Sequence, residues 1–591
     1  MNTRSWNVKR GRSRQRVLVL SLVAVAAVSL LAANWAGAQG KASSIPRNQL
    51  LITSGTAWGA ESNFNPFGGG WATGMVGLVN ETLLRYDPLK DKYIPWLATK
   101  AGFQGKQYVI QVRKGVGFSN GKKLTPKMVV QDINLGKFKA AYWHVLWTNI
   151  KKMKVKGNTI TVSFKGTPNY IQWQNLIWNL PIVYYPQFAG INETNFTILG
   201  STVGWVPIGT GPYVLDTAAY DPSTGVVWQK RPAKSWWAAA QKVEPSPAPQ
   251  YIEDLPECNN SFSLGCGFLS GVYDLDNNYL PGIQDVVDKE LAQTYFPGPP
   301  YNLPANTAWL EVNTTHKPLN DPHFRKALAE AVNVYKIAGS GDYNGVVTIA
   351  NQTGLLKVWR KWIDQNLMSE YGFSRANVSA AKATLAAAGY KDTNNDGFVE
   401  NKDGSKLSLT IEVPSGWSDW EAARSIIVSG ARAVGINVSI VRGSQSQVQT
   451  TDRNQGKFDL EVDNAYRLSD SPWTYFNGIF HLPIIKTGFG QTFGNYGRYD
   501  NPTAWADVQK LDKTPPTDVK GRKKLMSALE KIELTQVPII PLWYNGIWSQ
   551  TQSKYWKNWP SSTSKRNYIP TMWPGYMQMT GIDMITHLKP A

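Results

Sequence analysis

Two cysteines, Cys258 and Cys266, and five histidines are all that 591 residues offer of thiolate and imidazole metal ligands. So low a cysteine count excludes a disulfide-dense scaffold. His144, His316, His323, His481 and His587 stand isolated, and none falls in an H-E-x-x-H or Cys/His ligand pattern. Gly117–Phe118–Ser119–Asn120–Gly121 has the letters of a G-x-S-x-G elbow but reads as a turn between elements, and a P-loop is missing. Glycoside hydrolysis needs two carboxylates flanking the scissile bond, and no motif pairs candidates such as Asp470 and Glu461. The chain therefore reads as a non-enzyme, with a secreted glycosidase as the remote alternative. Acid is the scarcer charge, 42 Asp and Glu against 62 Lys and Arg. The surplus of +20 is scattered along the sequence without a recognition motif. It reads as a solvated basic surface, and no nucleic-acid partner is expected.

Long apolar runs are scarce as well. Val17 to Ala33 alone approaches the length of a membrane span. It follows Arg4, Lys9, Arg10, Arg12, Arg14 and Arg16 and precedes Ala36–Gly37–Ala38. Cationic, apolar and small residues in that order make an export signal over 1–38, with an uncleaved anchor as the alternative. No cysteine sits near the cleavage region, so no lipoprotein anchor is expected. The exported chain, periplasmic or at the cell surface, would keep a net charge near +14. In that oxidising setting Cys258 and Cys266 are expected to close one small disulfide loop.

Tryptophan is abundant by contrast, 25 residues in no repeated motif. Many lie in short aromatic and amide runs such as Pro472–Trp473–Thr474–Tyr475 and Pro541–Leu542–Trp543–Tyr544–Asn545–Gly546–Ile547–Trp548. An indole offers a flat apolar face and one N–H donor, which suits the rings of sugars. Trp236, Trp237, Trp556 and Trp559 read instead as packing residues.

Periodicity predicts alternating strands and helices. Strands are expected at 49–54, 108–113, 159–164, 407–413 and 436–441. Helices are expected from Thr125–Pro126 to about Lys137, from Asp321–Pro322 onward, and over 378–388 ending at Gly389. Ser418 and Glu421 suggest a capping box for a further helix ending near Gly435. Residues 243–306, rich in Pro, Gly, Asn and acid, read as irregular or crossover-like. The pattern favours an α/β fold with helix-covered sheets. Asp392, Asn394, Asp396, Phe398, Glu400 and Asp403 match the ligand positions of a calcium loop, except that Asp403 stands where a bidentate Glu is usual. A polar hairpin held by Asx turns is the alternative. A structural calcium is the only cofactor the sequence suggests.

Several ordered phrases resemble the family 5 extracellular solute-binding proteins of ABC importers. They are 80–88 (NETLLRYDP), 94–98 (IPWLA), 112–122 (VRKGVGFSNGK), 209–213 (GTGPY), 318–328 (PLNDPHFRKAL) and 383–390 (ATLAAAGY). The C-terminal third, through 494–499 (GNYGRY), 541–548 and 556–560 (WKNWP), is most similar to cellobiose-binding members. The resemblance implies a two-lobed periplasmic-binding-protein fold of three domains. Domain I would comprise 47–85, 203–305 and 545–591, domain II would be an insertion at 86–202, and domain III would span 306–544. It implies a receptor, expected to be monomeric, that captures a cello-oligosaccharide or other β-glucoside between hinged lobes. The receptor would hand that solute to an ABC permease and its ATPase. Peptide-binding relatives hold the ligand amine with an acid after a domain III strand, a role that Asp470 would fill here. The expected pocket residues are Trp58, Asn65, Trp71, Tyr466, Asp470, Trp473, Tyr475, Trp543, Tyr544, Asn545 and Trp548.

Overall fold

The computed structural model describes residues 44–54, 61–256, 267–341, 343–465, 468–484, 494–565, 569, 571 and 580–591. Residues 1–38, expected from the sequence to be an export signal, and Trp58, Cys258, Cys266 and Tyr466 lie outside them.

Three larger sheets organise the described chain. A seven-stranded sheet is built around Leu50–Ser54, which pairs in parallel with Tyr251–Leu255 on one side and Leu275–Asp276 on the other. Leu50–Ser54 is buried along its whole length, as expected for a strand covered on both faces. Residues 243–306 thus hold central strands rather than irregular chain. Their signal was masked because Tyr251–Leu255 carries two acids, Glu253 and Asp254, that are buried. Burial pushes the Glu253 carboxyl up to about 7.

The second sheet has four antiparallel strands, Ala98–Gln104, Gln107–Val112, Thr159–Phe164 and Ile150–Lys156, in that spatial order. Its inner face carries Tyr108, Ile110, Ile160 and Val162, which are completely buried. They belong to one continuous core with Leu51, Trp228 and Ile252 of the seven-stranded sheet. Where these parts meet, the buried Glu81 carboxylate accepts hydrogen bonds from three indoles, Trp96 Nε1 at 2.9 Å, Trp237 Nε1 at 2.7 Å and Trp236 Nε1 at 3.3 Å. Trp236, Trp237, Trp556 and Trp559 are all buried, so these four indoles are packing residues. Together the two sheets form one lobe.

The third sheet has six strands, Leu303–Val312 pairing on one edge with Ile539–Ile547 and on the other with Leu460–Ala465. Helices cover it, among them Pro322–Ala331, whose N-cap Asp321 accepts the His323 N–H. The helix Ser418–Ala433 starts differently from the expected capping box: Trp417 occupies the cap position and makes no side-chain cap bond. Trp417 packs edge-on against Trp420 at 4.7 Å, and this aromatic contact fixes the entry in place of the hydroxyl.

Across three adjacent strands of this sheet, Glu311, Glu461 and Glu412 stand side by side in register. Asp463 lies two residues along the same strand face as Glu461. Arg453 bridges Glu461 and Asp463, the latter at 2.8 Å, and Trp309 Nε1 donates to Glu311 at 2.9 Å. One arginine cannot neutralise four buried carboxylates. Burial, then the neighbouring negative charge, pushes Glu311 and Glu412 up to about 8. Burial pushes Glu461 up to about 7 despite Arg453. Folded-state values above the unfolded 4.5 mean the native state holds extra protons, so this row stabilises fully below pH 4.5 and loses that contribution as pH rises through 7 to 8. The melting temperature should therefore fall between pH 6 and 8.5, and Glu311→Gln should flatten that slope; equal slopes for the two proteins would refute the assignment. At the other junction, Glu81→Ala should cost on the order of 3 kcal/mol in urea unfolding, since three buried indole donors lose their acceptor.

Candidate ligand-binding site

Among the described residues the chain passes between the seven-stranded and six-stranded sheets twice, through 295–302 and through Trp548–Ser549. The two connections are tied together. Asn302 Oδ1 accepts the Ser549 N–H at 3.0 Å, and Asn277 Nδ2 donates to the Trp548 carbonyl at 2.9 Å. Next to them the buried Asp276 accepts from Gln550 Nε2 at 2.7 Å, and burial holds its carboxyl at about 7. Two short connections are the geometry of a hinge, where a few residues absorb the rotation of one lobe against the other.

A cavity of about 670 Å³ is lined by residues next to the four-stranded sheet and by residues of the six-stranded lobe. Such a volume is in the ordinary range for a small-molecule site. Its walls carry Tyr86, Tyr93, Phe103 and Tyr170 from the first lobe and Trp359, Trp362 and Trp473 from the second. Asp91 and Lys106 on one side and Asp470 and Arg522 on the other supply charge. Tyr86 packs against Tyr93 at 5.0 Å and Trp178 at 5.4 Å, which fixes that wall. Trp473 spends its N–H on the Val508 carbonyl at 3.0 Å. What remains of it at the cavity is the ring. Flat faces on opposite walls and charged groups at the margins can hold a ligand that stacks and hydrogen-bonds at once.

The same two walls are joined by one carboxylate. Asp512, the last residue of the helix Pro502–Asp512, accepts at Oδ1 from the N–H groups of Ile171 (3.0 Å) and Gln172 (2.9 Å). At Oδ2 it accepts from Asn169 Nδ2 (2.6 Å) and Gln172 Nε2 (2.7 Å). These groups open the helix Tyr170–Asn179, which has no cap from its own N-terminal side chain. An acid at a helix C-terminus is unfavourable for its own helix dipole, yet here it sits at the N-terminus of another, where negative charge is favoured. Burial raises the Asp512 pKa, opposed by those hydrogen bonds. Lys361 and Asp91 add an exposed ion pair across the same gap.

The structure divides the residues expected from the sequence. Asp470 and Trp473 line the cavity, and Trp548, half-buried against Tyr279, lies on the hinge. Trp543, Tyr544 and Asn545 are buried in a strand enclosed along its full length. Their polar atoms are engaged within the lobe, Trp543 Nε1 with Asn545 Oδ1 at 3.4 Å and Tyr544 Oη with the Leu355 carbonyl at 2.7 Å. Tyr475 is buried edge-on to Trp309 at 5.6 Å. Asn65 is buried, its amide donating to the Phe196 carbonyl and its Oδ1 accepting the Phe67 N–H. Trp71 is half-buried against the core of the first lobe. The other aromatic walls escaped sequence reasoning because they come from segments hundreds of residues apart. The one local hint was Trp359–Arg360–Lys361–Trp362.

At the calcium-like loop, oxygens of Asp392, Asp396 and Glu400 lie within 4.8 Å of one another. Much of that donor set is already engaged within the loop. Glu400 accepts from the Thr393 N–H and hydroxyl and from Asn394, while Asp396 accepts the Phe398 N–H. Asp403 turns to the Ser405 N–H and faces Lys317 at 3.7 Å. The loop thus offers the first, fifth and ninth ligand positions as a group but not the twelfth.

The family model of the bacterial extracellular solute-binding proteins, family 5, matches residues 92–485. The chain belongs to that family. This family 5 protein is similar to a periplasmic oligopeptide-binding protein of Thermotoga maritima, at 32% identity and a TM-score of 0.86 over 92% of this chain and 100% of that one. It is similar to the mannohexaose-bound structure of the same Thermotoga protein, with a TM-score of 0.83 at 32% identity over 93% of this chain and 99% of that one. The oligopeptide-binding protein AppA of Bacillus subtilis is 25% identical over 461 residues, 72% of this chain and 73% of the relative. The family 5 protein is a substrate-binding receptor of an ABC importer, with the mixed α/β periplasmic-binding fold of its relatives. Removing the cross-lobe cap with Asp512→Ala leaves two backbone N–H groups buried and unpaired. It should cost on the order of 2 kcal/mol in urea unfolding and raise the radius of gyration of the ligand-free protein in solution scattering. Unchanged values in both measurements would show that Asp512 does not join the lobes.

Proposed function

We propose that the receptor captures an oligosaccharide, of cello-oligosaccharide or other β-glucoside type, between its two lobes. The observation that carries this reading is the cavity faced on both sides by aromatic rings, with Trp359, Trp362 and Trp473 opposite Tyr86, Tyr93 and Tyr170. Pyranose rings present apolar C–H faces that stack on indole and phenol, and hydroxyl edges that hydrogen-bond to Asp470, Asp91, Lys106 and Arg522. Closing the lobes excludes water, so those hydrogen bonds strengthen and a missing hydroxyl leaves a buried group unpaired. The 32% identical Thermotoga protein, though called oligopeptide-binding, has been crystallised with mannohexaose, which supports a sugar despite the name.

A peptide is the second reading, favoured by Asp470 at the cavity wall and by the relative named for oligopeptides. In either case the solute passes to a membrane permease driven by an ATPase, and the receptor itself carries out no chemistry. In our reading residues 86–202 form the inserted module, 306–544 the closing lobe, and 47–85, 203–305 and 545–591 the base.

A thermal-shift screen with β- and α-linked oligosaccharides and short peptides separates the two readings, because a ligand bound to the native state raises the melting temperature by mass action. The expected outcome is a shift with a β-linked glucan oligomer, reduced about tenfold in affinity by Trp362→Ala through the lost stacking face. Silence from every sugar beside a clear peptide shift that Asp470→Ala abolishes would replace the sugar by a peptide.

A further inference from the structure

The positive charge of this receptor is concentrated in one stretch of its chain. Between residues 86 and 202 stand sixteen Lys and Arg but only four acids, Asp87, Asp91, Asp132 and Glu193. That surplus of twelve accounts for most of the +14 that remains beyond the export segment. Fifteen of the sixteen cations are lysines.

The strand registers show where part of this charge goes. The four-stranded sheet has one face sealed into the core and one face outward. Lys152, Lys154 and Lys156 lie on the edge strand opposite Ser163, Thr161 and Thr159, which in turn pair with Gln107, Val109 and Gln111. Gln111 pairs with Lys100 on the far strand. The buried positions Tyr108 and Ile110 alternate with Gln107, Val109 and Gln111, so this second set, and the residues in register with it, belongs to the outward face. That face therefore carries lysines, polar side chains and the half-buried Val109, with no acid in register among them. Strand spacings make it about 14 Å by 14 Å. All four lysines are exposed, and none of them is in an ion pair among the described residues. The edge strand bears Lys151 as well.

We propose that this outward sheet face docks the receptor, diffusely and reversibly, on anionic lipid headgroups of the membrane that holds its permease. The argument is one of charge. The outward face carries no aromatic ring on which nucleobases could stack. Lysine is a hydrated point charge without the planar fork that arginine uses to grip an individual phosphate, so a lysine face favours delocalised attraction. A receptor that must deliver solute to a membrane permease gains from sliding on the bilayer rather than searching in three dimensions. The inference does not depend on which solute the cavity takes, since none of the four lysines lines it.

The test is flotation of the signal-free chain with vesicles of neutral phosphatidylcholine, or of phosphatidylcholine with 30% phosphatidylglycerol (about that fraction is enough for a strong surface potential). Binding is expected to the anionic vesicles alone, and to fall steeply with added salt. Each lysine held near such a surface is worth roughly fivefold in partitioning, so Lys152→Gln, Lys154→Gln and Lys156→Gln together should lower it about a hundredfold. The matched exchange of the exposed Lys382, Lys391 and Lys406 in the other lobe should change it little. Failure of the native chain to bind anionic vesicles overturns the proposal, as does equal loss in the two triple variants. Retention of duplex DNA in place of vesicles would assign the face to nucleic acid and overturn it too. Melting temperature and solute affinity, measured on the same samples, should be unchanged by either exchange.

Discussion

The two short connections between lobes constrain everything else in this molecule. Because 295–302 and Trp548–Ser549 are the described passages between the seven-stranded and six-stranded sheets, each lobe must bury its own core. Asn302 ties the two passages together through the Ser549 N–H, and Asn277 holds the second of them through the Trp548 carbonyl, the arrangement expected of a pivot. A solute that fills the gap between the lobes would add to what already joins the two bodies, namely the pivot, a few polar contacts and the packing of Ile171 against the second lobe.

Those polar contacts explain how closure can be both firm and reversible. Asp512 completes the first turn of a helix that belongs to the opposite lobe, so the closed arrangement satisfies backbone groups that an open one would hand to water. Hydrogen bonds exchanged with water cost little net free energy, so such a latch biases closure without locking it. The aromatic walls act differently. Their gain comes from excluding water from large flat faces, and it is realised only when something occupies the space between them.

Buried acid is the recurring expense of this fold. Glu81 is held by three indoles, and the row Glu311–Glu461–Glu412 by a single arginine and by retained protons. In each case hydrogen bonding or protonation replaces hydration that burial removes. Part of the tryptophan content answers this need. Trp96, Trp236 and Trp237 serve one carboxylate, and Trp309 serves another. A chain rich in indole thus need not be rich in ligand-binding indole.

Local patterning decided the elements: Thr125–Pro126 and Asp321–Pro322 open helices, Gly389 and Gly435 follow helix ends, and 108–113 alternates into a strand. These features depend on residues within a turn or two of each other, and the ordered phrases that mark the family are likewise local. Burial could not be read the same way. Tyr251–Leu255 is a central strand despite its acids, and Trp543 to Asn545 are enclosed although their composition suits a pocket wall. Asp470 and Trp473 were legible as candidates, whereas Tyr86, Tyr93 and Trp359 become neighbours only when two lobes meet. Charge falls between the two: Lys152, Lys154 and Lys156 alternate along one strand and are legible locally, whereas only strand register sets Lys100 in line with Lys156. Sequence by itself determined which segments would form and to which family they belong. Which side chains face a cavity, a core or solvent was decided by long-range pairing, because exposure is a property of what packs against a residue and not of the residue.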